Sequence, residues 1–494
     1  MTVPFKQIPN NLRVPLFYGE VDNSQANTGQ VNQRALLIGS KTSSGAAAAN
    51  VPSQIASITD AKTQFGPGSI LANMAWAYRQ SDPFGEVWGL PLTDSGTAGA
   101  GSIVFTGPAT AGGAVSLYIA GQLVSVPVTS AMTAAQLATA VAAAITALTD
   151  LPVTATVDGS NTAKVDITAK SASLASNDID IRLNYRGSAG GEALPSGIGA
   201  TVTAMTGGAT NPTLTTALAY LGNLPFDFIA CAYTDATSMT ALAAFLNDTA
   251  GRWSWETQLY GHYFVAYRGT SSALGTWGVT LNDQHGSAMG FYDSPSPCWN
   301  WAASLAGAAA VSARADPGLP MQTVKLGGLL APPVASRFSL SQQNALLYDG
   351  VSTFNVAPDG TISIQNLITT YQVNGLGQAD TSYLEIETMM LLMFVLRALA
   401  GVVNTKYSRV KLAADGTRFA PGSNIVTPSI IRADIIAQYR QLEFEGYVQQ
   451  ADVFAANLVV QINAQNPSRV DVLYPAVLIE QLRTFAALLQ FRLS

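Results

Sequence analysis

The sequence predicts a multidomain α/β protein: an α/β core interrupted by a mainly β insertion domain, followed by an α+β C-terminal domain, with extended N- and C-terminal arms. Three observations lead there. Short apolar runs alternate with helically spaced segments before residue 95 and again after 210, the pattern of parallel βαβ units. Residues 95–149 contain no Asp, Glu, Lys, Arg or His, an abrupt compositional break. Large apolar residues alternate with other residues near both chain ends, the period of a strand. A chain of 494 residues has room for about three domains. The expected division is 1–33 as arm and linker, 34–94 plus 211–345 as the α/β core, 95–210 as an inserted outer domain, 346–486 as the C-terminal domain, and 487–494 as a C-terminal strand arm.

In chain order, Pro4, Pro9 and Pro15 disfavour helix and favour extended backbone. Leu12, Val14, Leu16 and Tyr18 then share one face of a strand, and Pro15 places that strand at a sheet edge. The polar linker DNSQANTGQVNQ follows. An apolar strand beyond such a linker either folds back on its own domain or reaches another subunit. RALLIG at 34–39 and 86–92 read as strands, with a helix over 69–80 between them. In the insertion, strands are expected at 102–106, 115–120, 122–128, 153–157, 164–168 and 178–184, with an Ala-rich helix at 133–148. Strands at 226–233, 262–267 and 286–292 and helices at 214–221, 239–246 and 299–311 resume the α/β alternation. Beyond 346 come paired strands at 350–356 and 361–367 across Pro358-Asp359-Gly360, helices at 384–402 and 430–443, and strands at 453–461 and 469–473. Pro475 is suited to the first position of a further helix. At the end, Leu489, Phe491 and Leu493 alternate with Gln490, Arg492 and Ser494, with no hairpin partner beside them.

Composition excludes several functions. Only 11% of residues are charged, against about 25% in ordinary soluble domains, which suits a surface covered by partners. The net charge of −6 offers no basic field for nucleic acid. The N-terminus has no apolar h-region, so no signal peptide is expected. The longest strongly apolar run, Met389 to Leu396, is bracketed by Glu387 and Arg397 and is too short to span a bilayer, so no membrane insertion is expected. Cys231 and Cys298 are far apart and form no CxxC, so both are expected as reduced core thiols.

Chemistry-bearing motifs are missing. The two histidines, His262 and His285, fall in strand-like or strand-flanking positions, and no GxSxG, HExxH, Walker A or Rossmann fingerprint occurs. Gly375-Leu376-Gly377 reads as a loop. Asp178 and Asp180 are expected on the solvent face of a strand, and Glu385 and Glu387 in the first turn of a helix, where the dipole favours negative charge. No catalytic, cofactor or metal site is expected. One segment stands out: Lys406, Arg409, Lys411, Arg418, Arg432 and Arg440 against Asp415 and Asp434. It is either a solvated face or a docking strip for an acidic partner.

The stretches ADPGLPMQTVKLGGLLAP (315–332), QQNALLYDGVSTFNVAPDGTISIQNLITTYQ (342–372), DTSYLEIETM (380–389), LAADGTRF (412–419), IVTPSIIRADIIAQYRQLEFEGYV (425–448) and NPSRVDVLYPAVLIEQLRTFAALLQFRL (466–493) resemble, in the same order, the contractile tail sheath proteins of Mu-like phages. The resemblance implies a structural virion subunit without enzymatic activity or cofactor. It implies a homo-oligomer of stacked hexameric rings forming a helical sheath around a tail tube protein, with baseplate and tail terminator proteins as further partners. The subunit would be made in the host cytoplasm, and the sheath would contract to drive the tube through the host envelope. It marks Leu12, Val14, Leu16, Tyr18, Leu489, Phe491 and Leu493 as intersubunit strand arms and Lys406, Arg409, Lys411 and Arg418 as candidates to face the tube. Rival readings are an α/β hydrolase and a low-charge β-rich adhesin or capsid-type protein.

Overall fold

A computed structural model describes residues 33–492. The expected N-terminal strand with Leu12, Val14, Leu16 and Tyr18, and Leu493 of the C-terminal arm, lie outside the described residues.

The centre is a parallel sheet. Its strands are β1 (Ala35–Ser40), β2 (Val87–Leu92), β3 (Phe228–Cys231), β4 (His262–Arg268) and β5 (Gly286–Phe291), in the order β5-β4-β3-β1-β2, with the short antiparallel strand Ser53–Gln54 at the β2 edge. Ala35 registers with Phe228 on one side and Val87 on the other. The apolar runs are continuous because the sheet is covered on both faces: every residue of β1, β3 and β5 is buried.

Helix α1 (Ile70–Ser81) starts at Ser69, whose hydroxyl accepts the Ala72 amide, and packs against α2 (Cys298–Ala315). Ala302, Ala303, Ala306, Gly307, Ala309 and Ala310 of α2 are buried, and their small size allows the close approach. A Cβ at Gly307 would stand 2.8 Å from the Tyr78 carbonyl oxygen of α1. Apart from the one expected after Pro475, the expected helices end within a few residues of the observed ones. Three short helices, Ile58–Phe65, Ser271–Gly278 and Leu340–Tyr348, were not legible from periodicity.

The insertion holds a four-stranded antiparallel sheet, ordered Gly199–Thr206, Ala100–Thr106, Lys164–Ala169, Val153–Val157, and a three-stranded one, Gln122–Val128, Gly113–Ile119, Ile181–Leu183. Helix Ala134–Ala147 begins with a capping box between Thr133 and Gln136 and buries Leu137, Val141 and Ile145. Asp178 and Asp180 do not face solvent as alternation suggested. Asp178 ends a 3₁₀ turn, Leu174–Asp178, and accepts hydrogen bonds from the Arg268 guanidinium at the end of β4 and from the Cys298 amide. Asp180 pairs with Arg182, which also reaches Asp293 at 2.9 Å. Both are junction residues that join the insertion to the core.

The hairpin Thr353–Val356/Ile362–Asn366 pairs antiparallel and puts Phe354, Ile362 and Ile364 into the large core cluster. Helix α3 (Ile386–Lys406) leaves that cluster through Ile386, Met390 and Met393 and enters a second one at Val395. It is long and apolar enough to cross a membrane by length and composition, more than the short run suggested. In the fold it is a connecting helix, with Ile386, Met389, Met390, Leu391, Met393 and Val395 buried and Arg397 paired with Asp227. Helix α4 (Pro428–Phe444) begins with Thr427 capping and Pro428 at its first position. Residues 451–457 form a helix, not part of a strand, because Ala451 and Phe454 turn into the second cluster. The helix expected after Pro475 is absent. The Val477 amide and carbonyl both bond the Tyr439 hydroxyl, and the Val477 carbonyl also accepts the Gln449 amide, which holds the chain extended. Residues 487–492 carry no strand.

Gly307→Val should lower stability by about 1–3 kcal/mol through overpacking at the α1–α2 contact. A fall in the urea midpoint at constant slope is the expected result, and an unchanged midpoint would contradict the packing described.

Candidate functional site

The C-terminal unit forms around Val395, Ile431, Ile435, Tyr439, Leu442, Val448 and Phe454. Tyr439 and Phe454 stack with ring centroids 3.7 Å apart. On this cluster sits a two-stranded antiparallel sheet, Val459–Ile462 with Val470–Leu473. Val460 and Val470 pack inward, while Val459 and Leu473 lie exposed on the other face. Among the described residues neither strand has a second neighbour, so each presents a row of unpaired backbone donors and acceptors.

The chain end is the other open element. No described residue from 484 to 492 makes a hydrogen bond, and Phe485, Leu488, Leu489 and Phe491 are all more than three-quarters exposed. Leu489 and Phe491 thus have little cover among the described residues.

The basic segment divides in two. Lys406 pairs with Asp434 at 2.8 Å, and the Tyr407 hydroxyl donates to the same carboxylate at 2.5 Å. Burial pushes Asp434 up, but these two hydrogen bonds outweigh it and hold the carboxyl below its usual range. Arg432 donates to the carbonyls of Ala455 and Leu458, and Arg440 reaches Asp452 at 3.4 Å. These three basic residues serve the unit itself. Arg409, Lys411 and Arg418 are exposed and have no ion pair among the described residues.

The core holds one arrangement that sequence spacing could not reveal. The His262 Nε2 lies 2.9 Å from the Ser287 Oγ across β4 and β5. Both residues are fully buried, and the Nδ1 has no partner among the described residues. Burial pushes the imidazole down to about 3, helped by nearby His285. A general base needs a pKa near working pH and an accessible substrate, so this is a packing pair. His285 is held by Asp283 and Asp248, each at 3.1 Å; burial opposes its charge, but the carboxylates outweigh that and raise it. A cleft of about 690 Å³ lies over β3 and β4, between Tyr233, Asp235, Tyr267 and Trp277. Its Asp178 and Arg268 satisfy each other, and Asp235 caps the helix Ala236–Leu246. Among the described residues no group of three or more His, Cys, Asp or Glu could hold a metal.

The described residues thus place a two-stranded sheet with open edges beside a chain end whose apolar side chains are exposed. The chain belongs to the phage tail sheath family and is not an enzyme. Residues 207–370 match the phage tail sheath protein central domain, and 378–492 match the phage tail sheath C-terminal domain. The Mu-like prophage FluMu tail sheath protein of Haemophilus influenzae is 37% identical over 495 residues, covering 99% of this chain and 100% of that protein. Looser likenesses in solved structures include a sheath tail protein from Desulfitobacterium hafniense (13% identical, 94% of this chain and 99% of that one, TM-score 0.47). Another is a chain of the anti-feeding prophage baseplate (12% identical, 98% and 100%, TM-score 0.46). The protein is therefore a structural component of a phage tail.

His262 stays neutral in the fold and protonates in the unfolded chain below about pH 6.5, so its contribution is present above that pH and lost as pH falls toward 3. His285, raised in the fold, contributes stability that is complete below about pH 6.5 and is lost as pH rises above it, so it adds no slope below. Unassembled subunit should lose about 1.4 kcal/mol per pH unit between about pH 6 and about 4.5 from this group. His262→Gln should flatten that slope in urea titrations, and parallel slopes for both proteins would contradict the assignment.

Proposed function

We propose that this chain polymerises through its terminal arms into stacked hexameric rings, forming a helical sheath around a tail tube protein, bounded by baseplate and tail terminator proteins. Contraction of the sheath drives the tube through the host envelope, and assembly takes place in the host cytoplasm. The observation that carries the reading is the pairing of needs within one C-terminal unit. Leu489 and Phe491 are exposed on a chain end without backbone partners, and the sheet Val459–Ile462/Val470–Leu473 has free edges. A strand added at such an edge gains backbone hydrogen bonds, and alternate side chains set its register. Each bond contributes about 1 kcal/mol net, and each buried Leu or Phe about 1.5–3 kcal/mol before ordering entropy. Head-to-tail donation of this kind propagates as an open helix. Leu493 completes the alternating face, and Leu12, Val14, Leu16 and Tyr18 form the second arm.

The tube-facing role falls to Arg409, Lys411 and Arg418, with Lys406 secondary because Asp434 already holds it. Exposed charge pairs contribute roughly 0.2–1 kcal/mol each, weak enough to release during contraction.

Two experiments test this. Deleting 487–494 should leave a folded, soluble subunit that forms no tubes by negative-stain microscopy, with Phe491→Asp approaching the same result. Normal tubes from the truncated chain would sink the arm reading. Charge reversal at Arg409 and Lys411 should weaken co-assembly with tube protein while sheath-only polymers persist, and undiminished co-assembly would reject that surface.

A further inference from the structure

The C-terminal chain changes character at one residue. From 474 to 483 it has no helix or strand, yet it is held along its length. The Tyr439 hydroxyl takes the Val477 amide at 3.0 Å, the Gln449 side chain donates to the Leu478 carbonyl at 2.9 Å, and the Gln322 side chain donates to the Leu482 carbonyl at 3.3 Å. Arg483 ends the held stretch. Its Nη2 lies 2.5 Å from the Glu387 Oε2 and 2.7 Å from the Glu385 Oε2. Past it, no described residue to 492 makes a hydrogen bond.

Glu387 is an unusual partner. Its side chain is fully buried in the first turn of α3, where the helix dipole favours an anion. The Met321 amide donates to its Oε1 at 2.5 Å, which leaves Oε2 to Arg483. Burial pushes the Glu387 carboxyl up, and Arg483 and the Met321 amide pull it back. Three segments therefore meet at one carboxylate: the chain after α2, the start of α3, and the base of the arm.

We infer that Arg483 is the positioning residue of the C-terminal arm: clamped to Glu387 and Glu385, it roots the arm on its own subunit and sets the point from which the chain departs toward a neighbour. The inference rests on the reading of 487–494 as an intersubunit strand. Its consequence is a matter of reach. The eleven residues from 484 to 494 extend at most about 40 Å from Arg483. Released back to Pro475, the free segment nearly doubles to twenty. Effective concentration at the acceptor sheet falls roughly as the −3/2 power of length, about 2.5-fold for each arm. The loss recurs at every subunit of a polymer.

The test uses the full chain with Arg483→Ala, Arg483→Lys and the 487–494 deletion. Hydrogen exchange is followed at the amides of Val477 and Ile479, and assembly is followed by critical concentration and microscopy. Arg483→Ala should fold, lose exchange protection at 477–479 and raise the critical concentration about 2.5-fold or more, and Arg483→Lys should restore much of both. Unchanged protection or unchanged critical concentration in Arg483→Ala would overturn the inference. The deletion separates the two readings. Tubes formed without 487–494 reject the arm itself. Failure of the deletion to assemble, beside normal assembly of Arg483→Ala, rejects only the clamp. If Arg483→Ala does not fold, R483M with E387Q removes both charges together and carries the same expectations.

Discussion

A parallel sheet buried on both faces leaves other parts of a chain its edges and its two rows of strand ends for attachment. Both rows are used here, and each is closed by a carboxylate–guanidinium pair. At the C-terminal ends, Arg268 of β4 meets Asp178 of the insertion. At the N-terminal ends, Asp227, immediately before β3, meets Arg397 of α3. Asp227 is fully buried, and burial pushes its carboxyl up while Arg397 pulls it down. Removing one partner of such a pair strands a buried charge, typically at a cost of about 3–5 kcal/mol. In a chain with so few charges, these pairs define the seams between its parts.

The same scarcity shapes the outside. A surface with little charge has weak repulsion against copies of itself, and exposed Trp255, Phe444, Phe485 and Leu489 supply apolar contact area. Such a surface favours association, while directional elements are needed to make the association regular. Strand edges and chain ends provide direction, because backbone pairing demands a register. The basic residues divide accordingly: Lys406, Arg432 and Arg440 are consumed in holding the C-terminal unit, which leaves Arg409, Lys411 and Arg418 facing outward.

Much of this was legible in one dimension. Period-2 and continuous apolar runs located β1 to β5, and helical spacing located α1 to α4. Misreadings share a cause. Asp178 and Asp180 look like a solvent face because alternation reports which residues share a side, not what lies opposite. Pro475 can open a helix, but Tyr439 and Gln449 offer its successors better backbone partners. Val453 was drawn into a strand because a short apolar run fits either period. The Ser287–His262 pair joins residues that only the sheet register makes neighbours.

Sequence alone determined the class of fold, the absence of catalytic and metal motifs, the family resemblance, and the alternation of Leu489, Phe491 and Leu493. Those properties reside in local period, composition and motif, which need no partner to be read. Tertiary structure decided which charges are spent at seams and which stay free, that α3 is a connecting helix rather than an isolated apolar one, and that the C-terminal chain is anchored as far as Arg483. Each of these depends on which distant residue arrives within about 3 Å, and a linear pattern carries no such distance.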